Sequence, residues 1–169
     1  MMLAVVILAG GSLAATSVEA QTLVNPLGSS TAAPMSKTAT GAAAPTWSES
    51  ARRKESQRHG LVRDNAIKPN MQIADFDGDG QCDVAWQMRH RATQTRGVLI
   101  VHASGRAAQL FGAGVVFGKG GDDFSWMDTW QVIPRRSGKG EAPLVAKAES
   151  ASAIIEFRSG RYRWQQAGD

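Results

Sequence analysis

The chain has a single cysteine, Cys82, so no internal disulfide can hold it, and its fold must rest on its core and on any ion it binds. The signatures of common hydrolases are missing: there is no H-E-x-x-H, no G-x-S-x-G and no cysteine paired with a histidine. His59 falls in a charged segment, while His90 and His102 fall on different candidate strands. Glutamates beyond residue 68 are limited to Glu141, Glu149 and Glu156, a thin supply for the two carboxylates a glycosidase sets across a cleft. Gly118-Lys119-Gly120-Gly121 lacks the Ser or Thr that a phosphate loop places after its lysine. The expectation is therefore not an enzyme, with a calcium-dependent hydrolase of scattered groups as the lesser alternative.

What the chain does have begins with an apolar leader. Leu3 to Ala15 is an unbroken run of apolar and small residues, and Val18-Glu19-Ala20 puts small residues at the usual cleavage positions. A signal peptide over 1–20, cut before Gln21, is expected, although no Lys or Arg precedes the run. The run is short for a spanning helix of about twenty residues, and no later segment approaches that length, so no transmembrane span is expected in the mature chain. The expected location is secreted or periplasmic, which removes nucleic acid as a partner. The net charge of +4 suits anionic partners of the cell envelope.

Residues 21–47 are mostly Ala, Thr, Ser, Pro and Gly with one charge, Lys37, a composition that reads as a disordered linker. Residues 48–67 form a charged segment, compatible with a short helix; over Ser48 to His59 almost nothing apolar lies on any face. Glu49 and Glu55 flank Arg52-Arg53-Lys54, so that run reads as a solvated face. Residues 68–169 read as one β domain. Candidate strands are 71–74, 84–90, 97–102, 107–111, 127–134, 144–148, 153–158 and 161–165, with hairpin turns at Ser104-Gly105 and Ser159-Gly160. The expected fold class is all-β, a small antiparallel meander forming a sandwich or a partly closed barrel.

The chemistry concentrates in Asp75-Phe76-Asp77-Gly78-Asp79-Gly80-Gln81-Cys82-Asp83, four carboxylates and two glycines in one nine-residue loop. Such acids repel one another unless a cation sits among them. Hard oxygen donors on a flexible loop suit Ca²⁺, with Asp75, Asp77, Asp79 and Asp83 giving side-chain oxygens and Gln81 its backbone carbonyl. An EF-hand would carry Glu at the twelfth position and continue as a helix; here that residue is Trp86, within an alternating strand pattern. Asp/Gly-rich turns also occur without an ion, but five matched positions with both glycines favour the ion.

This loop, D-x-D-G-D-G-x-x-D running into an apolar strand, resembles the calcium loop of FG-GAP and VCBS repeats. It occurs once, over Asp75 to Asp83, and the Phe-Gly pairs Phe111-Gly112 and Phe117-Gly118 follow it instead of preceding it. About four blades are needed for a propeller, so the resemblance implies a calcium loop inside a small stand-alone β domain. Outside it, Asp122, Asp123 and Asp128 could complete the shell, hold a second ion or pair with surface arginines. Trp86, Trp126, Trp130, Tyr162 and Trp164 read mainly as core, with a carbohydrate platform as the alternative. The expected function is an exported calcium-binding module contacting a cell-envelope protein or carbohydrate. The alternative is an inhibitor or immunity protein against a periplasmic or cell-wall enzyme.

Overall fold

A computed structural model describes residues 43–136 and 138–168. The expected signal peptide and most of the expected linker lie outside the described residues. No helix among the described residues is long and apolar enough to cross a membrane.

The architecture is all-β in two antiparallel sheets, stacked as an open sandwich with no closed barrel. Helix α1 (Thr46–His59) leads into β1 (Leu61–Arg63), β2 (Met71–Ala74), β3 (Asp83–His90), β4 (Arg96–Val101) and β5 (Gln109–Gly112), which form the first sheet. Strands β6 (Thr129–Pro134), β7 (Glu141–Lys147), β8 (Ala151–Arg158) and β9 (Arg161–Gly168) form the second, in chain order. The Ser159-Gly160 turn is as expected: both residues have positive φ, and Arg158 pairs with Arg161, the geometry of a two-residue hairpin.

Strand β3 organises the first sheet. It pairs on one side with β4 and on the other with β2 along its first half and β1 along its second. Its apolar and polar alternation predicts a half-buried strand, yet six consecutive residues from Asp83 to Met88 are buried. The polar position is absorbed inside: Gln87 donates through Nε2 to the carbonyls of Ile67 (3.2 Å) and Pro69 (3.1 Å). A buried amide whose donor is paired in this way avoids the cost of an unsatisfied polar group.

One face of the first sheet packs on the second sheet, with Phe76, Val98, Ile100 and Phe111 meeting Trp130, Val145, Ile155 and Phe157. The other face gathers Val84, Trp86, Met88, Leu99 and Val101. Helix α1 lies against this sheet with small and charged residues in place of an apolar stripe. Arg52, expected in a solvated run, instead sits over the Trp86 ring at 5.4 Å, joined by Arg63 of β1 at 4.3 Å. Such cation–π contacts let a polar helix cover an aromatic ring. Glu49 holds the Arg52 guanidinium at 2.8 Å, and this hydrogen bond keeps the Glu49 carboxyl below its usual range.

Ile155 has no exposed surface and lies in the shared core of both sheets. Ile155→Ala is expected to cost about 2–5 kcal/mol through lost burial and a residual cavity, read by urea denaturation.

Candidate metal centre

The turn between β2 and β3 is wound around its own carboxylates. Asp75 Oδ1 accepts the amides of Gly78 (2.7 Å) and Asp79 (3.1 Å), and its Oδ2 accepts that of Gly80 (3.0 Å). Asp77 Oδ1 accepts the Asp79 amide at 3.2 Å, and Asp79 Oδ1 the Gln81 amide at 2.8 Å. The result brings one oxygen each from Asp75, Asp77 and Asp79 within 4.8 Å of one another. An all-oxygen set of this kind is the donor chemistry of a hard cation. Gln81 adds a side-chain hydrogen bond to Asp79 Oδ2 at 3.2 Å.

Asp83 belongs to a second, deeper group. It is fully buried; its Oδ1 accepts the Ala103 amide (3.0 Å), and its Oδ2 accepts the Phe76 amide (3.1 Å). The same Oδ2 lies 3.0 Å from His102 Nδ1. Burial pushes the Asp83 carboxyl above its usual range, with the His102 contact and the Ala103 amide working against that shift. Asp77 bridges the two groups, because its Oδ2 lies 3.7 Å from His102 Nδ1 and accepts a hydrogen bond from Arg106 Nε at 3.0 Å. Asp77, Asp83 and His102 also bring ligand-type atoms within 4.8 Å of one another. Carboxylate oxygens of both groups already accept hydrogen bonds from protein donors; the groups differ in that the shallower one offers oxygen ligands alone and the deeper one includes an imidazole nitrogen.

Tyr162 of β9 closes the deeper group from the second sheet. Its ring stacks on His102 at 5.8 Å, and burial, reinforced by the charges of Asp83 and Asp77, pushes its phenol far above the usual range. The hydroxyl therefore stays protonated, 3.5 Å from His102 Nε2.

The loop is also pinned to the second sheet directly. The Asp75 amide donates to Glu141 Oε2 (3.0 Å), and the Glu141 amide donates back to the Asp75 carbonyl (2.8 Å). Gly78, at φ +80°, passes so near the β6–β7 turn that an added Cβ would lie 2.7 Å from the Lys139 carbonyl oxygen. Glycine is therefore required there by backbone angle and by contact. Cys82, half-buried in this loop, has its thiol pushed up by burial and by the charges of Glu141, Asp75 and Asp83, which disfavours the reactive thiolate.

Of the predicted ligands, then, Asp75, Asp77 and Asp79 are brought together, while Asp83 is turned inward onto His102. The sequence reading missed His102, Arg106, Tyr162 and Glu141 as neighbours of the loop. Asp123 and Asp128 hold backbone elsewhere. Asp123 Oδ1 accepts the Arg96 amide (2.9 Å), the Ser125 amide (2.9 Å) and the Ser125 hydroxyl (2.6 Å); Asp128 accepts the Ala148 amide at 3.0 Å. Among the described residues neither stands in a group of converging metal-type ligands. Trp86, Trp130 and Tyr162 are buried, and Trp126 and Trp164 pack half-buried against the core.

Compared with protein-family models, with curated proteins and with solved structures, the chain matches none of them.

Two tests follow from this geometry. Asp83→Ala strands the Phe76 and Ala103 amides, each at about 1–3 kcal/mol if left unsatisfied, and denaturation should show the loss with or without added metal. Burial pushes the Asp123 carboxyl up, but the Ser125 and Arg96 hydrogen bonds outweigh it and leave it below the usual 3.8. A depressed carboxyl stabilises the fold above its unfolded pKa and ceases to do so as pH falls through its folded value. Asp123→Asn should thus melt below the wild type at neutral pH, and the two melting curves should converge on acidification.

Proposed function

We propose that the protein is an exported β domain that binds Ca²⁺ as a structural ion and serves as a binding or interaction module. The observation that carries this reading is the convergence of Asp75, Asp77 and Asp79 on one short turn. Calcium accepts six to eight oxygens, and three carboxylates with the Gln81 backbone carbonyl would supply the protein's share around it. Neutralising three mutually repelling carboxylates would favour the wound form of the turn. Asp83 supports that turn from beneath by holding the Phe76 amide. The resemblance to FG-GAP and VCBS loops points the same way, as does the apolar leader, since calcium is plentiful outside the cytosol.

The ion's structural value comes from what the turn touches. Through Glu141 and the Gly78 contact it ties β2 and β3 to β7 and to the β6–β7 turn, so ordering it would tighten the sandwich at one end. The interaction role is supported by the loop after β5, where Val116 is 74% exposed and Val115 40% exposed. Apolar side chains held outward on a glycine-rich loop suit contact with a protein partner of the envelope.

Calcium titration with a melting readout tests the reading. Excess Ca²⁺ should raise the melting temperature, EDTA should reverse the gain, and Asp79→Ala should abolish the response while leaving the metal-free melt nearly unchanged. Identical melts of the wild type with Ca²⁺ and with EDTA would exclude a structural calcium.

A further inference from the structure

At the other end of β3 from the acidic turn lies an open groove of about 650 Å³. Asp83 and Arg89 are six residues apart on one extended strand, a separation of about 20 Å. Three arginines line this groove, Arg63, Arg89 and Arg96, against a single carboxylate, Asp64.

The charges are unevenly compensated. Asp64 Oδ2 lies 3.0 Å from Arg96 Nε, and Arg63 leans on Glu49 at 3.4 Å and on the Trp86 ring. Among the described residues Arg89 has no carboxylate within ion-pair distance. Arg89 and Arg96 also stand directly opposite each other in the β3–β4 register. Like charges in that relation repel, and Asp64 offsets only one of them.

The groove is built on ordered backbone. Asp64 Oδ1 accepts the Ala66 amide at 3.1 Å, and Asp123 ties the Arg96 amide to Ser125, whose residue lines the rim. Asn65 and Gln94 add neutral polar groups to the lining. An arginine pair in which one guanidinium is held by a carboxylate and the other is unengaged, set in a concave polar surface, is the chemistry that receives an oxyanion through paired N–H donors.

We propose that this groove binds a compact phosphate-type oxyanion, with Arg89 as its principal ligand and Arg96, oriented by Asp64, as the second. The site is separate from the acidic turn and independent of the calcium reading.

Calorimetric titration of the full chain with pyrophosphate, in metal-free buffer at low ionic strength, is the test. Saturable binding is expected that weakens with added salt. Arg89→Gln should lower the affinity at least about tenfold, while Arg53→Gln, which removes the same charge from the exposed face of α1, should leave it unchanged. Sedimentation with phosphatidylcholine vesicles, with and without phosphatidylglycerol, identifies the source. Retention that requires phosphatidylglycerol and Arg89 assigns the phosphate to a lipid headgroup; pyrophosphate binding without retention assigns it to a soluble ligand. Two results overturn the proposal: no Arg89-dependent binding of either probe, or equal losses for Arg89→Gln and Arg53→Gln. Melting curves of both variants must match the wild type, and if Arg89→Gln fails to fold, Arg89→Lys takes its place with the same outcomes.

Discussion

A carboxylate without solvent contact must find donors within the protein, and Asp83 finds them in two parts of the fold. Phe76 belongs to the turn before β3, and His102 and Ala103 follow β4. Through His102 the contact reaches Tyr162 and so the second sheet. The first residue of the central strand thus holds the acidic turn and the exit from β4, and through His102 it touches the second sheet. Arg106 extends the set outward, bound to Asp77 and resting over the Phe157 ring at 4.9 Å. Metal-type ligands that look equivalent along the chain consequently divide into a hydrogen-bonded floor and an oxygen-rich rim, with Asp77 in both.

The strands were legible because their signals are local. Apolar alternation after Asp83, and paired positive-φ positions at Ser159-Gly160, need no knowledge of distant residues. The acidic turn was legible for the same reason, its carboxylates accepting amides two to five residues away. His102 was not, because its role depends on strand register. Val84 faces Val101, and one step further along the ladder places His102 beside Asp83. Glu141 and Tyr162 were further out of reach, since they arrive from the second sheet. Strand β1 is three residues long inside a charged segment, too short for any periodic signal. Arg52 misled by composition: its partner is the face of a tryptophan, which charge patterning does not register.

The two ends of β3 are electrostatic opposites. Carboxylates gather where it begins, and Arg89 stands opposite Arg96 where it ends. At each end a carboxylate holds a neighbouring group in place: Asp83 accepts the Phe76 amide, and Asp64 holds the Arg96 guanidinium. A strand buried on both faces along most of its length holds these two ends apart.

The order of the second sheet leaves β6 and β9 as its margins. Strand β9 carries Arg161 and Arg163 exposed along that margin, and β6 ends in Pro134, which has no amide hydrogen to offer. A second copy sliding alongside β9 in antiparallel fashion would bring arginine toward arginine, while one approaching the end of β6 would meet a missing donor. The sheet is thereby discouraged from growing by addition of further chains, a safeguard against fibrous assembly written into its outermost strands.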